Sequence, residues 1–215
     1  MTSNKFPFQY RWASSDPHTN AYLLNPIQAL LQDYSPCQGA SARVLDLGCG
    51  NGALAEQLQL WGYTVIGIDP SASGIAEAKK RCPTAAFHQA IADPTEISRL
   101  ELNPFDLVVS TEVVEHCYAP RLWASAAFTA LRPGGLLIAS TPYHGYLKNL
   151  ALATTGKLDA HFTALWDGGH IKFWSRRTLS RLLAEAGFEI VAFRGAGRWP
   201  WLWKSMLIMA RKPHL

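Results

Sequence analysis

The chain has 215 residues, 48% hydrophobic and 17% charged, enough apolar material for one domain with a substantial core and too much for wholesale disorder. Twenty Lys and Arg against sixteen Asp and Glu leave a net charge of +4, scattered in pairs rather than gathered in a block, so no nucleic-acid partner is expected. Cys37, Cys49, Cys82 and Cys117 stand far apart, without the C-x-x-C spacing of a zinc site or redox pair. Lys5 and Arg11 are not followed by a continuous apolar segment, and no run approaches the ~18 apolar residues of a membrane span. These features point to a soluble, cytoplasmic protein with reduced thiols.

From residue 43 onward, short apolar runs alternate with stretches at helical spacing, the pattern of an α/β, doubly wound chain. Arg43 to Leu47 reads as the first strand. Leu54, Leu58 and Trp61 form a helical stripe after it, which Gly62 ends. Tyr63 to Ile68 is the second strand, and Ser71 caps a helix that runs to about Arg81 before Pro83. Ala85 to His88 reads as a third strand and Phe105 to Val109 as a fourth. Pro120 opens a helix through Leu131 that Arg132-Pro133-Gly134-Gly135 ends, and Leu136 to Thr141 is the fifth strand. Ser175 caps a helix carrying Leu179, Leu182, Leu183 and Ala186 on one stripe, and two strand-like runs follow, Phe188 to Phe193 and Trp203 to Ala210. The whole of 1–215 reads as one domain, with a helical cover over 1–40 and an aromatic insertion over 142–174 that is long for a connection and so expected to carry function.

The turn Asp46-Leu47-Gly48-Cys49-Gly50-Asn51-Gly52 leads from the first strand into a helix, and its alternate glycines let a ligand lie against the main chain. Asp69 ends the second strand, near the spacing at which a carboxylate reaches a nucleotide ribose. Together they indicate a nucleoside cofactor. A dinucleotide fold needs G-x-G-x-x-G, and here the third glycine comes one residue early, with Asp46 just ahead of the turn. That carboxylate would repel a pyrophosphate and suits a cationic ligand such as the amino group of a methionine moiety.

Val44 to Gly52, then Gly67-Ile68-Asp69-Pro70-Ser71, Phe105 to His116 and Leu131 to Gly135 resemble, in order and spacing, the motifs of class I S-adenosylmethionine-dependent methyltransferases. Glu112 to His116 most resembles the ubiquinone-biosynthesis O-methyltransferases, and the resemblance covers about Tyr22 to Phe193. It implies a mostly parallel, seven-stranded, Rossmann-like sheet with an antiparallel last strand. It also implies S-adenosyl-L-methionine as cofactor and S-adenosyl-L-homocysteine as product. Asp46, Gly48, Cys49, Gly50 and Gly52 would line the methionine part, Asp69 and Pro70 the ribose, Asp93 the adenine, and Ser110, Thr111 and Glu112 the sulfonium. Tyr143 to Trp174 departs from the lid of the ubiquinone enzymes, so the resemblance carries no particular acceptor. The implied activity is methyl transfer to a small molecule, most readily to a hydroxyl oxygen of an aromatic or lipidic metabolite. The alternatives are a domain that binds the cofactor without turning it over and, against the glycine spacing, a nicotinamide-dependent oxidoreductase.

Methyl transfer from a sulfonium is an in-line displacement, and the acceptor must lose a proton. Glu112, Glu115 and His116 fall at i, i+3 and i+4, which on one helical turn would bring them to one face at the mouth of the fourth strand. In one reading His116 is the base. In another the three form an oxygen-rich site for a magnesium-like ion, although no metal is expected. In a third, Glu115 and His116 only cap and pack the turn. His144 and His170 are rival bases. Tyr143, Tyr146, Trp166 and Trp174 offer stacking surfaces for a flat acceptor, and Trp199, Trp201 and Trp203 read as a packed terminal hairpin or as an anchor at a membrane surface.

Overall fold

The computed structural model describes residues 21–34 and 42–214. Cys37 and most of the expected cover over 1–40 lie outside these residues.

Short runs of Val, Ile and Leu become strands because both faces of the sheet are covered. The strands are β1 (Arg43–Leu47), β2 (Thr64–Asp69), β3 (Ala86–Gln89), β4 (Phe105–Thr111), β5 (Leu131–Pro142), β6 (Glu189–Ala196) and β7 (Ser205–Arg211). They pair in the order β3-β2-β1-β4-β5-β7-β6. β7 runs antiparallel to both neighbours, and the other pairings are parallel, which is the sheet the resemblance implied. The order reverses direction between β1 and β4, so a crevice opens at their carboxyl ends.

One face of the sheet is covered by α1 (Ala21–Tyr34), α2 (Ala53–Leu60) and α3 (Ala72–Arg81), the other by α4 (Pro94–Arg99), α5 (Pro120–Ala130) and α8 (Arg176–Glu185). α1 buries Leu23, Ile27, Leu30 and Leu31 against the sheet, each worth roughly 1.5–3 kcal/mol of gross apolar burial. Ser71 caps α3 as expected, accepting from the Gly74 amide. Ser175 and Thr178 form a reciprocal capping box on α8.

Three local expectations are corrected, and one is filled in. The stripe on α2 is set differently: Ala55 and Leu58 are its buried residues, whereas Leu54 and Trp61 are half-buried. Arg132 to Gly135 does not separate α5 from β5 but belongs to β5, with a register irregularity opposite Phe105 to Leu107. The stretch 142–174 carries α6 (Tyr146–Thr154) and α7 (Leu158–Phe162). The three terminal tryptophans do not share one environment, although Trp201 tilts against Trp203 with ring centroids 5.7 Å apart. Trp203 packs against Tyr143 and Phe193, while Trp199 and Trp201 are exposed.

Candidate active site

The glycine turn lies where β1 hands over to α2. Gly48, Gly50 and Gly52 all have positive φ, and a Cβ at Gly48 would overlap Val113 while one at Gly52 would meet Ala78 at 2.9 Å. The amide of Gly50 donates to Asp69 at 2.9 Å and that of Ser71 donates to the same carboxylate at 2.8 Å, so Asp69 ties the turn to the end of β2. Cys49 is buried, and burial raises its thiol well above its ordinary range, as suits a packed residue rather than a nucleophile.

Asp46 is the anomaly. It is 1% exposed, and neither carboxylate oxygen has a close hydrogen-bond partner among the described residues. Burial first, and then the charge of Asp69, push its pKa up to about 8, with the Ala55 amide pulling the other way. A buried acid answered so weakly is costly unless a cation joins it.

Other carried-over residues are engaged differently. Asp93 caps α4 by accepting from the Thr95 amide at 2.8 Å. Ser110 turns inward, donating to the Leu47 carbonyl at 2.6 Å and accepting from the Trp123 indole at 3.1 Å, so its hydroxyl locks β4 to β1 and α5. Thr111 and Pro70 are half-buried at the carboxyl edge.

Beyond β4 the expected common face of Glu112, Glu115 and His116 does not form. Glu112 has a φ of 54°, which breaks the helical phase, and only Val114–His116 makes a 3-10 turn. Its carboxylate instead accepts from Ser140 at 2.7 Å and Ser205 at 3.0 Å, and Ser205 shares a 2.7 Å bond with Tyr22 of α1. Burial raises the Glu112 pKa to about 7 against the pull of those hydroxyls and of Lys204 and Lys148.

The side chains that do converge are Glu115, His116 and His170, whose ligand-type atoms lie within 4.8 Å of one another. Glu115 is 1% exposed. One of its oxygens accepts from Thr141 at 3.0 Å, and the other has no hydrogen-bond partner among the described residues. Burial raises its pKa well above the carboxylate range, reinforced by Glu112. His116 Nδ1 lies 2.9 Å from the Gly168 carbonyl and 3.2 Å from that of Gly169. Two carbonyls can only accept, so Nδ1 carries the proton. The amides of Ile171 and Lys172 donate to the Glu115 carbonyl, which clasps 168–172 to the turn after β4.

His144, just past β5, is buried among His161, Phe162 and Phe173. Burial pushes His144 and His170 down to about 4. Tyr143 is buried, whereas Tyr146 and Trp166 are exposed. Lys148 of α6, which sequence reasoning passed over, is buried at the same edge. No signal in Tyr146-Leu147-Lys148-Asn149-Leu150 marked it.

A methyltransferase-domain model matches residues 19–192, nearly the whole described fold. The chain belongs to the class I S-adenosylmethionine-dependent methyltransferases. It is 32% identical over 166 residues to a ubiquinone biosynthesis O-methyltransferase of Dinoroseobacter shibae, covering 75% of this chain and 65% of the relative. A ubiquinone biosynthesis O-methyltransferase of Methylobacterium sp. is 30% identical over 210 residues, covering 87% and 83%. Several of these relatives are longer proteins, of which the chain spans about half to two thirds. The [4+2]-cyclase SpnF superposes with a TM-score of 0.67 over 89% of this chain and 82% of its own, at 17% identity, so the fold alone does not decide the reaction. The residues present fit S-adenosylmethionine: the weakly answered Asp46 suits its ammonium group, and the glycine turn, whose positive φ angles and close packing on Val113 and Ala78 admit no side chain, leaves its backbone bare.

Proposed function

We propose that the protein transfers the methyl group of S-adenosylmethionine to a hydroxyl oxygen of a small aromatic or lipidic metabolite. The observation that carries this reading is the meeting of two sets of groups at one sheet edge. The glycine turn with Asp46 and Asp69 stands on the β1–β2 side, and Glu112, Glu115, His116, His144 and His170 stand beyond β4 and β5. The first set holds a cofactor whose sulfonium carries the methyl group. The second offers polar groups for an acceptor, with Phe162, Trp166 and Phe173 packed against its histidines.

Such a site accelerates an in-line displacement chiefly by holding acceptor and methyl carbon in register. The segment 142–174 is the lid over the acceptor in this reading. Its base is closed by the Tyr143–Trp174 bridge and its middle by the His116 clasp. The exposed Trp199 and Trp201 support delivery of a lipidic acceptor from a membrane surface. Among the described residues no helix is long and apolar enough to cross a membrane. The ubiquinone O-methyltransferase relatives favour oxygen over nitrogen or carbon.

The test is incubation of the pure protein with methyl-labelled cofactor and a cell extract, followed by mass spectrometry. A hydroxylated metabolite that gains one labelled methyl on oxygen supports the proposal. Cofactor binding without any labelled product would make the protein a binding domain, and label on nitrogen or carbon would overturn the choice of acceptor atom.

A further inference from the structure

Helix α6 is built inside out. Tyr146, Leu147 and Leu150 are exposed, and the one residue it buries is Lys148, 5% exposed. Burying an ammonium in place of leucine is unfavourable unless the destination uses the cation. Lys148 Nζ donates one hydrogen bond, 3.3 Å long, to the Lys204 carbonyl. An ammonium has three donors, so two remain unspent among the described residues. α6 begins four residues beyond Pro142, the carboxyl end of β5, and so stands at the sheet edge that also carries Glu112 and His144. Around it are Glu112 beyond β4, His144 beyond β5, His161 on α7, and Arg198 with Lys204 in the β6–β7 connection.

We propose that Lys148 is a catalytic residue that takes the proton of the acceptor hydroxyl and holds the resulting oxyanion for attack on the methyl carbon. This rests on the methyl-transfer reading above. The neutral amine accepts the O–H proton, and an oxygen electron pair forms the new bond to the methyl carbon. The carbon–sulfur bond breaks with its pair returning to sulfur, and the ammonium then releases its proton to solvent.

The competing groups are less suited. His144 and His170, held near 4 by burial, are weak bases. Burial and then Glu112 raise the proton affinity of Glu115, one of whose oxygens already accepts from Thr141, and both oxygens of Glu112 already accept hydroxyl bonds. Burial and then Arg198 bring Lys148 down to about 8, with Glu112 opposing. That lies within reach of a phenol, which ionises near ~10, and far from an ordinary alcohol.

The test uses catechol and 4-nitrocatechol as probes. With S-adenosylhomocysteine bound, the wild-type protein should turn 4-nitrocatechol into its coloured phenolate at a pH where the free probe stays protonated. In turnover, Lys148→Met should lose about 100-fold in kcat/KM for catechol and less than about 10-fold for the readily ionised nitrocatechol. Lys148→Arg should restore nitrocatechol and not catechol. Cofactor affinity by calorimetry should stay at the wild-type level in both, and Lys148→Gln replaces Lys148→Met if the latter does not fold.

Absence of the coloured form in the wild type, equal losses for the two probes, or no loss would each overturn the role of Lys148. If methylated product forms and Lys148→Met is indifferent, the Lys148 proposal falls alone. If the phenolate forms in the wild type but neither probe nor extract is methylated, the methyl-transfer reading falls while Lys148 keeps its place as the oxyanion site.

Discussion

Burial, and then the charge of Asp69, raises the proton affinity of Asp46 where the ends of β1 and β2 lie side by side. With a folded pKa of about 8 against an ordinary 3.8, Asp46 lets the folded chain bind a proton that the unfolded chain has released. Its contribution to stability is fully present below the unfolded value and is lost as pH rises through the folded one. Asp46→Asn should therefore flatten part of the decline in melting temperature between pH 5 and 8, about the span of that shift. The same change should weaken binding of S-adenosylmethionine, whose ammonium needs the ionised acid. Calorimetry at pH 7 in buffers of different ionisation heat should show a proton released on binding to the wild type and none with the variant; equal proton counts would exclude the role given to Asp46.

Asp69 was expected to meet the ribose, and the structure gives it a task that spacing did not disclose. Beyond its expected ribose contact it accepts from Gly50 and Ser71, so Asp69→Ala leaves two buried amides unpaired. Cofactor affinity should fall by about 1–3 kcal/mol and the melting temperature with it, whereas Asp69→Asn should keep more of both because it retains one acceptor oxygen. Calorimetry and thermal melts of the two variants decide the matter; an unaffected Asp69→Ala would remove Asp69 from the site.

The sheet was legible because strands buried on both faces must be apolar runs, and Val44-Leu45 and Leu107-Val108-Val109 are such runs. The glycine turn was legible because few residues besides glycine tolerate its φ angles. The region after β4 was not, since Glu112 adopts a left-handed φ that no spacing rule marks and swings its carboxylate to Ser140 and Ser205. α6 escaped for the opposite reason: its apolar residues face outward, so its pattern carries no cue to the buried lysine. The Asp93-Pro94 pair did carry a helix-start signal, an N-cap followed by proline, and only its cofactor meaning was taken from it.

Tyr143 and Tyr146, alike in sequence as stacking surfaces, separate in the structure. Tyr143 is buried edge-on against Trp203, and Tyr146 is 79% exposed. Tyr143→Ala opens a cavity and should cost about 3–5 kcal/mol, while Tyr146→Ala should stay within about 0.5 kcal/mol. Denaturant titration separates them, and equal midpoints would show that Tyr143 is not part of the core.

His116 fastens the segment around Gly168 and Gly169 to the turn after β4 rather than standing free. Its Nδ1–H donates to the carbonyls of Gly168 and Gly169, its ring packs edge-on against Trp166 and His170, and the neighbouring Glu115 carbonyl accepts from Ile171 and Lys172. Burial lowers the His116 pKa, and protonating the ring adds a charge to a site that already includes His170. A histidine with a depressed folded pKa adds stability that is fully present above its unfolded value, ~6.5, and is lost as pH falls from there toward the folded one. The clasp should therefore loosen on acidification below about pH 6.5. Limited proteolysis between Gly156 and Gly169 should be slow at pH 7.5, faster at pH 5.5, and fast at both values in His116→Ala, with S-adenosylmethionine affinity at pH 7.5 unchanged. A His116→Ala lid as resistant as the wild type at both values would show that backbone contacts alone close it.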